Sequence, residues 1–279
     1  MTISKNQPAV AFQGTHYAFS EIAARKYFGN NIETHPCRQF IDVFKSVENE
    51  NCVYGIVPVE NSTTGSVYQN LDLILDSSVT VIGEVQLRIE QHLIANPGVN
   101  LNDINVVYSH PQALEQCRGF LSALPDIETI ASYDTAGSVT YIRDQKLSYA
   151  AAIAGREAAE DNNMQILKEE IEDNPQNYTR FHIIAKYATI PENADKTSIV
   201  FSMKNIPGAL FKSLSVFALR DIDLLKIESR PMRGKRWKYR FYLDFAGSIQ
   251  EERCRNAIRH LEEITSFLKV LGSYKTAGE

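Results

Sequence analysis

Between residues 9 and 153 one local pattern recurs: a short apolar run, a polar loop, then apolar residues at helical spacing. The clearest runs are Ala9-Val10-Ala11-Phe12, Val53-Tyr54-Gly55-Ile56-Val57, Val106-Val107-Tyr108 and Glu128 to Ser132, with Tyr149 to Ile153 a fainter one. Parallel strands need crossovers long enough to hold a helix, so this alternation predicts an α/β unit with mostly parallel sheets. One helix is expected from about Ser20, stopping near Gly29. A second carries Val67, Leu71, Ile74 and Leu75 on one face, and a third opens at Pro111 with Leu114, Cys117 and Leu121 aligned.

After residue 195 the pattern changes. Thr197 to Phe201 reads as a strand and Gly208 to Asp221 as a helix with Leu210, Leu214, Phe217 and Ala218 aligned. Leu224 to Arg230 and Trp237 to Phe245 read as a hairpin. Ser248 is expected to cap a helix bearing Cys254, Ile258 and Leu261, and Phe267 to Tyr274 closes the set. The order βαββαβ is that of a ferredoxin-like sandwich. Charge divides at the same place: residues 1–195 hold 13 Lys+Arg against 25 Asp+Glu, and residues 196–279 hold 16 against 9. A reversal of sign inside a chain of net charge −5 predicts two units with separate jobs, joined by Pro191-Glu192-Asn193-Ala194-Asp195.

Several classes of protein are set aside by pattern. No apolar run approaches the roughly 20 residues of a membrane helix. Met1 to Pro8 is polar and does not read as a secretory signal. Cys37, Cys52, Cys117 and Cys254 form no CxxC pair, so reduced thiols in a cytoplasmic protein are expected. There is no GxSxG, P-loop, GxGxxG or HExxH, and the six histidines lack metal-ligand spacing. Neither metal nor cofactor is expected.

Four loops sit where a strand hands over to a helix: residues 14–20, 61–65, 109–112 and 134–138. Ligands of open α/β sheets bind at such places, and helix N-termini favour anions. Hydroxyl and amide side chains add neutral donors there. The competing reading is that each Ser, Thr or Asn only caps its helix. Asn61-Ser62-Thr63-Thr64-Gly65 exceeds what one cap requires. His110 is the one histidine inside such a loop. Arg180, in Asn177-Tyr178-Thr179-Arg180-Phe181, offers a fork for a carboxylate or pairs with Glu170, Glu172 or Asp173 at the surface.

These residues carry a resemblance. Gly55-Ile56-Val57-Pro58-Val59-Glu60-Asn61-Ser62 resembles the G-V-P-x-E-N-S segment of prephenate dehydratases, and Tyr108-Ser109-His110-Pro111-Gln112-Ala113-Leu114 with Cys117 their S-H-P-Q-A-L-x-Q-C element. Thr179-Arg180-Phe181 is similar to their T-R-F motif. Gly208-Ala209-Leu210 and Glu228-Ser229-Arg230-Pro231 resemble the G-A-L and E-S-R-P elements of the ACT domain fused to it.

The resemblance implies a bilobed catalytic unit like a type 2 periplasmic binding protein over residues 1–190, with lobes of 8–87 plus 177–190 and of 88–176. An ACT regulatory domain would follow over 196–279. It implies decarboxylating dehydration of prephenate to phenylpyruvate, a step of L-phenylalanine biosynthesis. Thr179 would act at hydroxide departure. Arg180, Asn61, Ser62, Thr63 and Thr135 would hold carboxylates, Phe181 would pack near the ring, and Glu60 would orient these groups. Ser20, Thr64, Gly65, Ser109, His110, Gln112 and Ala136 complete the expected substrate site. L-Phe is expected as an allosteric effector at Asn205, Pro207, Gly208, Ala209, Leu210, Glu228 and Ser229, between subunits of a homodimer or homotetramer.

One segment departs from the family pattern G-P-x-G-T-[FY]-S-E. In Gly14-Thr15-His16-Tyr17-Ala18-Phe19-Ser20-Glu21, Tyr17 replaces a glycine and Ala18 the threonine, the latter as in arogenate-using relatives. Arogenate dehydratase is therefore the alternative, and a non-catalytic solute-binding regulator a more distant one. Arg230, Arg233, Lys235, Arg236, Lys238 and Arg240 crowd one hairpin without interleaved RNP-like aromatics, so no nucleic-acid partner is expected.

Overall fold

The computed structural model describes residues 7–232, 234 and 236–278. The chain starts with β1 (Ala9–Gln13), α1 (Phe19–Phe28), β2 (Glu33–Cys37), α2 (Phe40–Glu48), β3 (Tyr54–Asn61), β4 (Gly65–Ser66), α3 (Tyr68–Asp76) and β5 (Thr80–Arg88). It continues with β6 (His92–Ala95), β7 (Val106–Ser109), α4 (Pro111–Gln116), α5 (Arg118–Ser122), β8 (Glu128–Ala131), α6 (Thr135–Asp144), β9 (Ala150–Ala154), α7 (Arg156–Asp161), β10 (Gln165–Lys168) and β11 (Tyr178–Ala185). The last elements are β12 (Lys196–Ser202), α8 (Ala209–Ala218), β13 (Leu224–Pro231), β14 (Tyr239–Ala246), α9 (Glu252–Ile264) and β15 (Phe267–Tyr274).

Two α/β sheets share one plan. The first runs β2-β1-β3-β11-β5, with β4 beside β3, and the second runs β10-β6-β9-β7-β8. In each, three strands follow a second–first–third order and the strand that has just crossed from the other sheet is inserted next. This exchange is the type 2 binding-protein topology. The pairs β1·β2, β1·β3, β7·β8 and β7·β9 are parallel, whereas β6 runs antiparallel to β9 and β10. Parallel strands are buried on both faces, and the small side chains of β9 are fully so. That strand reads faintly in sequence because four of its five residues are alanine, a poor strand former.

The third sheet is antiparallel, with order β13-β14-β12-β15. With α8 and α9 it makes the ferredoxin-like sandwich around Ile199, Phe201, Phe217, Leu243, Phe245 and Leu261. Two details differ from the sequence reading. Helix α8 ends at Ala218, and its buried residues are Ser213, Val216 and Phe217, which leaves Leu210 and Phe211 exposed. The stripe is turned because contacts at i, i+3 and i+4 from Ser213 fit the sheet. Ser248 is not the cap of α9. Glu251 holds that position, and Ser248 instead accepts the Gln250 N–H in the preceding turn. Of the basic hairpin, Arg233 and Lys235 lie outside the described residues.

By internal contacts the chain forms two compact units. One comprises the residues up to Asn70 with Gln86–Phe181, the other Leu71–Val85 with the residues from His182 onward. In the second unit, Lys196 pairs with buried Glu84 at 2.9 Å and Arg230 with Asp72 at 2.5 Å. Residues 71–85 are thus tied by side chains to β12 and β13.

Candidate functional site

The first unit contains a cleft of about 550 Å³, a size suited to a small metabolite. Strand periodicity decides what faces it. Alternate residues of a strand point to opposite faces, so Thr179 and Phe181 of β11 line the cleft and Arg180 between them does not. The same rule on β3 brings Asn61 to the cleft and turns Glu60 away. Arg180 and Glu60 meet instead, at 2.8 Å. Glu60 therefore has a cationic partner. Arg88 takes Glu170 at 2.8 Å and reaches Glu172 at 3.7 Å, while Asp173 accepts the Gly119 N–H.

Asn61 is the hub of the site. Its amide donates to Thr179 Oγ1 at 3.0 Å, to Asn177 Oδ1 at 2.7 Å and to the Tyr178 carbonyl at 3.2 Å. Its oxygen accepts from the backbone N–H groups of Thr63 and Thr64, both at 3.0 Å, and from both hydroxyls. Asn61 is buried, and the polar run after it serves to close a turn around its side chain. Gly65 takes φ +82, which glycine adopts without strain. Because Thr179 Oγ1 already accepts from Asn61, its own proton is available to donate toward the cleft.

The second sheet supplies the opposite wall. His110 is the N-cap of α4, Pro111 its first residue, and His110 Nδ1 accepts the Gln112 N–H at 3.2 Å. Gln112 Nε2 reaches across to Thr64 Oγ1 at 2.9 Å. Thr135 begins α6, whose N-cap Asp134 accepts the Gly137 N–H. Burial pushes the His110 pKa down, against the pull of Asp134, which favours the neutral ring.

No Lys or Arg is among the described residues lining the cleft. Positive potential comes instead from the N-terminus of α1, ten residues long, whereas at α6 the capping carboxylate of Asp134, itself in the lining, offsets the helix end. α1 has no side chain capping its start. Phe19, Phe40, Pro58, Val67, Ile89 and Phe181 give the cleft an apolar wall.

Of the residues expected at the site, Ser20, Asn61, His110, Gln112, Thr135, Thr179 and Phe181 are brought together. Ser109 is not, because it is buried and donates to the Ile153 carbonyl at 2.6 Å. Ala136 is packed in the core of the second sheet. Ser62 donates to the Gln176 carbonyl and accepts the Tyr178 N–H, while Thr63 turns onto Asn61. Gln13, Gln91, Gln116 and Tyr133 line the cleft without having been expected. Gln116 was legible as the i+4 neighbour of Gln112 on one helix face. Nothing local marks Gln91, which is buried and whose side-chain oxygen accepts no hydrogen bond among the described residues. Among the described residues no group of three His, Cys, Asp or Glu is placed to hold a metal ion.

In the second unit Gly208 is the N-cap of α8 at φ +76, and Asn205 to Gly208 are exposed. Glu228 is half-buried and pairs with Lys226 at 3.4 Å, while Ser229 on the same strand is exposed.

Comparison with known proteins agrees with this arrangement. A family model described as prephenate dehydratase matches residues 10–189. A chloroplastic arogenate dehydratase/prephenate dehydratase of Arabidopsis thaliana is 44% identical over 276 residues, covering 95% of this chain and 72% of that protein. The solved prephenate dehydratase of Arthrobacter aurescens in complex with L-Phe has a TM-score of 0.87 at 32% identity, covering 96% of this chain and 89% of the other. A solved quorum-quenching acylase also reaches 0.87, at 29% identity, covering 96% of this chain and 98% of its own. With the T-R-F strand, the Asn61 turn and the His110 helix start meeting in one cleft, this chain belongs to the prephenate dehydratase family.

Proposed function

We infer that the chain is a lyase that converts prephenate to phenylpyruvate, carbon dioxide and water. The observation that carries this reading is the hydrogen bond from Asn61 to Thr179 Oγ1, which aims a hydroxyl proton into an apolar cleft. In the reaction the C–C bond to the ring carboxylate breaks and its electrons enter the ring. The C–O bond to the ring hydroxyl breaks in turn, and a proton taken up from solvent completes the water. Thr179 is a poor acid, so its part is to hold the departing oxygen and relay that proton. Phe181 and the apolar wall take the ring, whose aromatisation supplies the driving force.

The carboxylates are held by the N-terminus of α1 with Ser20, Gln112 and Thr135 as neutral donors. Arg180 acts through Glu60: the pair keeps Thr179 and Asn61 on the cleft side of their strands. Arg180→Lys is then expected to lower kcat more than it raises KM, whereas a direct carboxylate clamp would show chiefly in KM.

We assign residues 1–190 to catalysis and 196–279 to an ACT regulatory domain that binds L-Phe. The L-Phe complex of the Arthrobacter aurescens relative supports the effector. Arg230, in the E-S-R-P element, grips Asp72 on α3, the helix that follows the Asn61 turn, and Tyr242 donates to the same carboxylate at 3.3 Å. Effector binding beside Glu228 and Ser229 would pass to the catalytic turn through this pair. Exposed Ile206, Leu210, Phe211, Leu225 and Ile227 support a partner subunit, as homodimer or homotetramer. Four free, buried cysteines support the reducing cytoplasm as its compartment.

Prephenate is proposed as the preferred substrate over arogenate, which carries an ammonium where prephenate has a keto group. Purified protein assayed with each, following phenylpyruvate and phenylalanine separately, tests this; a kcat/KM ratio favouring arogenate reverses it.

A further inference from the structure

Gly14, Ala18, Phe19 and Ser20 line the cleft, and Tyr17 within that segment is held in an unusual way. Its φ is +66, a left-handed conformation that side chains other than glycine and asparagine rarely take. Something must offset that strain, and the side chain shows what. The Tyr17 ring packs on the core of the second sheet, the cluster around Ala136, Val139, Ala158 and Ala159. Its hydroxyl donates to Asp161 Oδ1 at 2.5 Å, at the end of α7. Its backbone N–H donates to the buried carboxylate of Glu21 at 2.6 Å, which anchors the loop to α1 on the first sheet.

Neighbouring residues repeat the crossing. Thr15 gives both its N–H and its hydroxyl to Asp134, at 3.2 and 3.3 Å. The ring of Phe19 lies so close to Gly155 that a Cβ there would meet it at 3.2 Å. The segment therefore starts on the first sheet and is fastened to the second, beside the cleft.

We propose that Tyr17 is a positioning residue: a strap that ties the 14–20 segment to the second sheet and sets how far the cleft opens. A protein whose cleft is held closed before substrate arrives binds with more of its population competent. Loss of the strap lowers that fraction and appears in KM, while chemistry in the closed state is untouched. The kinetic part of this inference rests on the reading of the cleft as the prephenate site; the opening itself does not.

The test uses three variants in the full chain. Tyr17→Phe keeps the ring and loses the hydroxyl, Tyr17→Gly relieves the backbone strain and loses the whole strap, and Asp161→Asn keeps a neutral acceptor. Nitroxide pairs at exposed Asn30 and Gln145 report the separation of the two sheets without ligand, the native cysteines being buried. The strap predicts a longer and broader distance distribution for Tyr17→Gly, a partial shift for Tyr17→Phe and little for Asp161→Asn. Alongside, KM for prephenate is expected to rise roughly three- to tenfold in Tyr17→Gly with kcat at least half of wild type. An unchanged distance distribution in Tyr17→Gly overturns the proposal, as does a fall in kcat with KM unmoved. If the wild-type protein does not turn over prephenate, the reading of function fails while the distances still decide the strap.

Discussion

The cleft around Asn61 and the segment around Gly208 are both read as ligand sites, and they are built in opposite ways. In the cleft the polar atoms of the Asn61 side chain are partnered before any ligand arrives. Asn61 is buried with its amide on Thr179 and its oxygen taken by the turn that follows. Around Gly208 the backbone is exposed, a Cβ on the glycine would meet nothing within 4 Å, and apolar Ile206 and Phe211 face outward. A catalytic group must be held near its productive geometry beforehand, because disorder there is lost rate. An effector site need only distinguish two arrangements, and a partner chain can complete it. The two regions should therefore fail differently when altered.

Thr179→Val breaks the preorganised side most sharply. It keeps the shape and removes the hydroxyl, so kcat is expected to fall roughly 10²- to 10⁴-fold with KM little changed. A steady-state assay with near-normal kcat would remove Thr179 from the mechanism. Asn61→Asp sharpens the same point, since an acceptor in place of the amide reverses the hydrogen bond and draws the Thr179 proton away. Its loss of kcat should be of similar order and should not add to that of Thr179→Val in a double-mutant cycle. Full additivity would mean that Asn61 does not act through Thr179.

On the exposed side, Gly208→Val is expected to abolish inhibition by L-Phe while uninhibited turnover persists, because left-handed backbone disfavours valine at a helix start with no neighbour to clash. Arg230→Leu separates binding from transmission: calorimetry should still register L-Phe, but inhibition should weaken severalfold as Asp72 is released. Loss of L-Phe inhibition only through changes in residues 61–65 would place the effector in the cleft. The smallest effect expected is on pH. Burial holds the His110 pKa below its ordinary 6.5, favouring the neutral ring that accepts the Gln112 N–H. That contribution is complete above the ordinary value and is lost as pH falls through the lowered one. kcat/KM should therefore decline on the acid side, and His110→Gln should flatten that limb.

The strand–loop–helix alternation and the βαββαβ order were legible because periodicity and turn residues act locally. Helix α1 stops at Gly29 as its C-cap, and Pro111 sits at the first position of α4. β2 was not legible. Glu33–Cys37 is a largely exposed edge strand that contains a proline and lacks alternation, so only its pairing with β1 makes it a strand. At the site, the motif segments located the cleft but not the direction of each side chain. Ser62, Thr63, Ser109 and Arg180 look like ligand groups in sequence. Turn closure, burial and the two-residue period of β11 send them elsewhere. Gln91 shows the converse, a cleft residue whose place follows from the crossing between sheets and from no local pattern.

The role of the Thr179 hydroxyl is decided by a single-turnover assay of wild-type protein and Thr179→Val with prephenate, following phenylpyruvate and carbon dioxide together. Wild type is expected to release both at one rate, and the variant to slow both by the same factor while still binding substrate. Carbon dioxide released at the wild-type rate by Thr179→Val, or no turnover of prephenate by the wild-type chain, would contradict it.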